Sequence, residues 1–274
     1  MMIARPAVGT LLTLTLGAPA LFFFMLIFFG RPGDFTPGFP LVGILFLSAF
    51  LNLTLGRFML ILAIHDLGAV RAGQFAASSA ATASMLGMML LGEEPSVLIL
   101  LGTLFIVGSL VCLIRFNLEQ RTASRRTNAT RGLLAGVMVS LSWGLGIVVA
   151  KIPLSELSAI VSSFYTLLLA MIMQGTYVAA RTLNPAYRRQ GLLPARRAIA
   201  YLLLSGLIGT FAFLAFVVAL SLGSVALVAP LSTVSPVFSL ILASIFIRKI
   251  EFINGGTVLS AIGVVIGAYL VTVG

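Results

Sequence analysis

Residues 199–220 read IAYLLLSGLIGTFAFLAFVVAL and carry no charge. A helix of about 20 apolar residues crosses the hydrocarbon core of a bilayer and satisfies its own backbone hydrogen bonds there. A second apolar run follows Ser221-Leu222-Gly223 and continues to Ile247. One helix from 199 to 247 would be about 73 Å long, far more than a bilayer needs. The chain must therefore turn at 221–223, and two spans meet there.

The same reading applied outward gives nine segments: 7–29, 40–64, 69–91, 96–114, 132–151, 157–180, 199–220, 223–247 and 253–273. Turn chemistry or charge separates them. Arg31-Pro32-Gly33-Asp34, His65-Asp66-Leu67-Gly68 and Gly92-Glu93-Glu94-Pro95 end the first three. The composition agrees. Of 274 residues, 60% are hydrophobic and 9% charged, against about 25% charged in a soluble domain. Too little polar surface remains to cover a soluble globule, so soluble enzymes, disordered chains and disulfide scaffolds are excluded. The single Cys112 has no partner of its own kind in the chain. The first segment is longer than a signal-peptide core and no small-x-small cleavage site follows it, so it is expected to remain as a span.

An internal repeat organises these segments. A shift of 155 residues lays Leu67-Gly68 on Leu222-Gly223, Val70 on Val225, Ser84 on Ser239 and Gly108 on Gly263. The hydropathy pattern superposes too, with 40–64 on 199–220, 69–91 on 223–247, and 96–114 on 253–273. The expected fold is an all-α polytopic membrane protein with nine transmembrane helices in a 4+5 repeat, ancestrally 5+5. Residues 1–117 form a first repeat lacking its first helix, 118–131 a basic linker, and 132–274 a second repeat of five helices. An odd number of helices per repeat inverts the second relative to the first. Inverted repeats with a site between them are a signature of secondary transporters.

Several stretches then carry a family resemblance. Gly132-Leu-Leu-Ala-Gly136, Ser142-Trp143-Gly144 and Lys151 resemble the opening helix of an EamA repeat. Ala63-Ile-His-Asp-Leu-Gly68-Ala69 with Leu91-Gly92-Glu93 resembles its third-to-fourth helix junction and closing Leu-Gly-Glu. Ala219-Leu-Ser-Leu-Gly223, Pro230 and Ser235-Pro236-Val-Phe238 resemble the same junction in a second repeat. The chain thus resembles the EamA-type ten-helix branch of the drug/metabolite transporter superfamily. It departs from that pattern in three places. The first helix of repeat one is absent, Ala81 stands opposite Pro236, and Arg248 stands opposite Glu93. The resemblance implies transport, often export, of small organic metabolites, amino acids or drugs without ATP hydrolysis. No Walker motif is present, in keeping with this.

The charges give an orientation. Alternating the connections between two sides puts 14 of the 17 basic residues on one side, two (Arg31 and Lys151) on the other, and Arg57 inside a span. Basic residues collect in cytoplasmic loops. The loops 115–131 and 181–198 and residue 1 are therefore expected in the cytoplasm and residue 274 outside, most simply in a bacterial plasma membrane. The family resemblance implies a cytoplasmic C-terminus instead; the charge bias is the stronger indicator.

An ionisable group inside a span is costly and marks a candidate site. Arg57 is one, able to attract an anionic group or to snorkel to the interface. Asn52, near the middle of the same span, could bind substrate or join two helices. Trp143-Gly144 places the sole tryptophan mid-span beside a residue that admits close backbone approach. Tyr165, Gln174 and Tyr177 on the next span are expected to line the same cavity. Pro230 and Pro236 interrupt span 223–247, with Ser232 and Ser235 nearby. His65, Asp66, Glu93 and Glu94 are candidates for proton coupling. A solvated turn is the plainer reading of His65-Asp66, and helix-starting acids the plainer reading of the glutamates. Gly263-x-x-x-Gly267 marks a close helix contact, within the chain or between chains.

No metal site or cofactor is expected, and no nucleic acid. The expected partners are a small-molecule substrate and the lipid bilayer. An upstream helix, a second protomer in a homodimer, or lipid would fill the place of the absent helix. Two other readings compete with transport: an integral-membrane transferase, which needs carboxylate or His-Asp clusters, and a non-transporting accessory protein. The orientation is checked by impermeant labelling of single cysteines placed at 124 and 190 in intact cells. Neither should label; strong labelling of both would reverse the topology.

Overall fold

The computed structural model describes residues 4–29, 36–92, 96–119, 129–184, 196–232 and 255–273. Among them, the regular elements are all helices: α1 (Ala4–Thr15), α2 (Gly17–Phe29), α3 (Phe39–Ala49), α4 (Gly56–Leu67), α5 (Ala69–Ala77), α6 (Ser79–Leu91), α7 (Val97–Glu119), α8 (Ala129–Lys151), α9 (Ala159–Thr182), α10 (Arg196–Leu222), α11 (Val225–Leu231) and α12 (Gly255–Val273). A π-helical segment, Phe50–Leu55, joins α3 to α4, and a 3-10 turn, Ile152–Ser155, follows α8. Six continuous apolar stretches among the described residues are long enough to cross a membrane: Val8–Ile27, Phe39–Leu67, Arg71–Leu91, Ala129–Ser155, Ala159–Thr182 and Ala198–Leu222.

Among the described residues, the expected breaks at Gly68, Gly92 and 221–223 are where the sequence places them. Gly68 has φ 98° and Gly92 has φ 69°, a backbone region that glycine enters without steric cost. The turn at 221–223 is present: α10 ends at Leu222 and α11 begins at Val225. Of the span expected at 223–247, only residues 223–232 are described.

Three interruptions inside spans were not expected. Leu16 separates α1 from α2, because Pro19 has no N–H for the Thr15 carbonyl and its ring crowds that oxygen. Ser78 separates α5 from α6. Its hydroxyl donates back to the Phe75 carbonyl at 2.7 Å, a bond that bends helices. The third is the π segment around Asn52.

Contacts divide the chain into two compact units, Met1–Phe58 with Val149–Leu222 and Met59–Val148 with Gly223–Gly274. Each unit draws helices from both sequence repeats. In the first unit, α1 and α10 run parallel in a four-residue register. Gly9 lies beside Leu202, Thr13 beside Gly206, and Gly17 beside Thr210. A Cβ on Gly206 would land on the Thr13 backbone, and one on Gly17 on the Thr210 hydroxyl. Small residues are what let membrane helices approach this closely. Helix α9, capped by Ser158, packs on α1, α2, α3 and the π segment. Its Leu167 and Ala170 join Leu14, Leu21, Ala49 and Leu53 in one core.

In the second unit, α7 and α12 run antiparallel. A Cβ on Gly267 would fall 2.6 Å from the Gly102 carbonyl oxygen, and one on Gly263 would strike the Ser109 hydroxyl. Ser260 donates to the Ser109 carbonyl at 2.8 Å. The Gly263-x-x-x-Gly267 contact is therefore made within the chain. Helix α8 presents Gly132, Gly136, Ser140 and Gly144 at four-residue spacing. These meet, in order, Asp66 and Leu67, Phe75, Ser78 with Thr82, and Thr82 again.

The tight and open glycines of α10 make a matched test. Gly206 is closed by Thr13, whereas nothing lies within 4 Å of a Cβ on Gly209. Gly206→Leu is expected to cost about 3 kcal/mol or more through overpacking, read as lost monodisperse yield and a lower unfolding temperature. Gly209→Leu should leave both near the parent values.

Candidate functional site

In the first unit the polar groups gather around the π segment. Just at its start the Asn52 side-chain amide donates to the Ser48 carbonyl at 3.1 Å and to the Ser48 hydroxyl at 3.3 Å. Segments of this kind are frequent at functional sites. One turn further on, Arg57 Nη1 donates to Thr13 Oγ1 at 3.0 Å. The Thr13 hydroxyl in turn donates to the Thr10 carbonyl at 2.8 Å, which leaves its lone pair for the guanidinium. Arg57 is thus half-buried and held against a neighbouring span, not extended along its own helix to the interface. Thr54 Oγ1 and Ser163 Oγ are buried with no hydrogen-bond partner among the described residues.

Helix α9 does not present its three candidates together. At 100° per residue Tyr165 lies about 180° from Gln174. Gln174 is buried on the face that carries Ser163, Leu167 and Ala170. Tyr165 stands edge-on to Phe164 with ring centroids 5.2 Å apart. Tyr177 is 37% exposed and is tied to Arg181, whose Nε donates to its hydroxyl at 3.2 Å and whose guanidinium lies 5.4 Å from its ring centroid. Tyr165 and Gln174 therefore lie on opposite faces of α9. Lys151, the last residue of the stretch that resembles an EamA opening helix, donates through Nζ to the Leu220 carbonyl at 2.6 Å, at the C-terminal end of α10.

The second unit holds a charged cluster. Arg131 Nε and Nη2 donate to the two oxygens of Asp66 at 2.7 and 2.9 Å. His65 Nδ1 lies 2.6 Å from Asp66 Oδ1. The Asp66 side chain is 4% exposed, and those of Arg131 and His65 are 48% and 42% exposed. A solvated turn therefore does not describe Asp66. A buried carboxylate needs a fork of donors, and the start of α8 supplies it. The pair also fixes the 65–68 turn and the end of the 115–131 connection at the same end of this unit. The turn chemistry of His-Asp-Leu-Gly gave no sign of a partner 65 residues away.

Deeper in this unit, the hydroxyls of Ser78, Thr82 and Ser140 form a chain, Ser78 to Ser140 at 2.9 Å and Thr82 to Ser140 at 3.1 Å. Gly144 is buried against Thr82, where a Cβ would fall 2.5 Å from Thr82 Cβ. It serves close helix approach. Its neighbour Trp143 is half-buried on an adjacent face of α8. Ser232 donates to the Ala229 carbonyl at 2.6 Å. Between α7 and α12 lies an open, almost wholly apolar groove of about 600 Å³ along Leu104, Phe105, Gly108 and Ile262. Its chemistry suits acyl chains better than polar solutes. Glu93, Glu94, Ser235 and Pro236 lie outside the described residues.

The EamA-like transporter family matches residues 130–273, more than half of the chain. The chain belongs to the EamA-like transporter family. It is an integral membrane protein of a family of transporters, not enzymes. A solved structure titled only "Crystal structure of protein" is similar over 98% of this chain and 87% of its own, at 18% identity and a TM-score of 0.70. That likeness is one of fold. No curated protein matches the chain.

The Asp66–Arg131 pair has a signed test. Removing only the arginine leaves a buried carboxylate short of donors, and one unsatisfied member costs more than removing both. Arg131→Gln should lower the unfolding temperature in detergent more than the Asp66→Asn, Arg131→Gln double variant does. A double variant as damaged as the sum of the two single changes would show that the groups act independently.

Proposed function

We propose that this chain is a secondary transporter of small organic solutes, working as an exporter by alternating access between its inverted repeats. Its membership of the EamA-like family is the observation that carries this reading. The physical picture supports it. Polar side chains cluster inside apolar spans, where hydrocarbon offers them no partner. Amide, hydroxyl and guanidinium groups there suit a solute that enters from water and must be held partway across. The spans that hold them pack through glycine and serine contacts, which give stiff bundles able to move as bodies.

In this proposal the loops 115–131 and 181–198 face the cytoplasm, and the protein sits in a plasma membrane. Asn52, Arg57 and Gln174 of the first unit form the core of the substrate-contacting set, and Trp143 of the second unit is kept as a candidate by itself. His65 and Asp66 stay as candidates for proton coupling, through a histidine exposed at the end of a span and hydrogen-bonded to a buried acid. A homodimer is a further element of the proposal.

The test is transport by the purified chain in proteoliposomes loaded with a defined metabolite mixture and read by mass spectrometry. Protein-dependent, ATP-independent and saturable loss of a subset of the solutes is expected. Trp143→Phe should change the rate or selectivity by about tenfold, a typical effect of losing one good contact, and leave folded yield close to the parent. Unchanged transport with reduced yield would assign Trp143 to packing.

A further inference from the structure

The transport reading leaves the charge of the substrate open, and the distribution of charge inside the spans bears on it. All seven acidic residues fall in the connections or at span ends. No carboxylate stands near the middle of a described span to hold a cationic solute. Arg57 stands alone in the opposite sense. It lies about 6 Å from the middle of the stretch Phe39–Leu67, and its contact, Thr13, lies at a comparable distance from the middle of Val8–Ile27.

Among the described residues no carboxylate pairs with Arg57. Its contact with Thr13 engages one of five guanidinium N–H donors. A cation held so in low dielectric needs an anion, since a neutral hydroxyl compensates only part of its lost hydration. The surroundings offer more than charge. Asn52 and Thr54 sit within the two turns before Arg57, and Ser163 lies on the helix packed against the π segment. The hydroxyls of Thr54 and Ser163 are buried and unpartnered among the described residues. Buried hydroxyls without partners are rare in settled packing and are the groups that an entering polar ligand would satisfy.

We propose that Arg57, resting on Thr13 inside the first unit, docks an oxyanion group of the transported solute. The substrates are then small organic anions or zwitterions bearing a carboxylate, phosphate or sulfonate, and not cations. The planar guanidinium fork matches such groups in two-point geometry. Thr13 holds the side chain in reach while the site is empty, and the hydroxyls of the π segment and α9 complete the cradle. The inference rests on the transport reading for the word substrate; the oxyanion site itself does not.

Binding to the full chain in detergent tests it, using four probes that share a phenyl ring: benzenesulfonate, phenyl phosphate, neutral benzenesulfonamide and benzyltrimethylammonium. The two anions should raise the unfolding temperature in a saturable way and the other two should not. Arg57→Gln should weaken anion binding by roughly tenfold or more, the loss expected for a charge-assisted hydrogen-bonded contact. Arg57→Lys, which keeps the charge but not the fork, should fall between. Thr13→Val leaves the guanidinium in place, and should weaken binding less than Arg57→Gln; it keeps the test open if the glutamine variant does not fold. Equal stabilisation by the cation, or anion binding that survives Arg57→Gln, overturns the proposal. So does an Arg57-dependent shift given by phosphatidylglycerol in mixed micelles and by neither soluble anion, which would assign the site to lipid. Proteoliposomes separate the two layers. Arg57-dependent binding of anions without movement of any probe would sink transport and leave the site standing. Movement of benzyltrimethylammonium, unaffected by Arg57→Gln, would do the reverse.

Discussion

Hydrocarbon offers no hydrogen bond and no counter-ion, and every other feature of this protein answers to that constraint. It forces the backbone into helices and sets their length. It also means that a polar side chain inside a span must find its partner within the protein or in a ligand. Most of those described here do. The hydroxyls of Ser78, Thr82 and Ser140 hydrogen-bond to one another. Asn52 donates to the Ser48 carbonyl one turn back. Asp66 is clasped by Arg131. Arg57, well inside a span, has a hydroxyl and no counter-ion among the described residues.

The helices meet through absence of side chain. Gly206 on Thr13, Gly267 on Gly102 and Ile106, and the stripe from Gly132 to Gly144 are contacts where a single added carbon would collide. Lipid tails are as apolar as leucine, so hydrophobic burial does little to join helices in a membrane and close packing has to do it. The family to which these helices belong is one of transporters.

Much of the architecture could be read in the chain. Apolar runs of the right length marked the spans, and Gly68, Gly92 and Ser221-Leu222-Gly223 marked where they turn. The isolation of Arg57 was visible in the chain, but whether it snorkels or faces a partner could be read only from its contact with Thr13. Other features were hidden for physical reasons. A π segment differs from an α-helix by one hydrogen-bond step, and Asn52 is compatible with both. Asp66 looks like a turn residue until Arg131 is brought to it by folding, a pairing that no local spacing encodes. Helical phase separates Tyr165 from Gln174, although both were assigned to one lining. The stripe Gly132, Gly136, Ser140, Gly144 was in plain view at four-residue spacing, yet its partner helices could be known only from the structure.

The central claim is that the polar groups around the π segment belong to a path for solutes and are not dry joints between helices. The most direct measurement is the reactivity of Asn52→Cys in a Cys112→Ala background, in oriented vesicles, toward an impermeant sulfonate-bearing thiol reagent added to one side at a time. The account predicts reaction from both sides at measurable rates, slowed together by a transported solute. Reaction with a lipid-soluble maleimide alone, and none with the sulfonate reagent from either side, would contradict it.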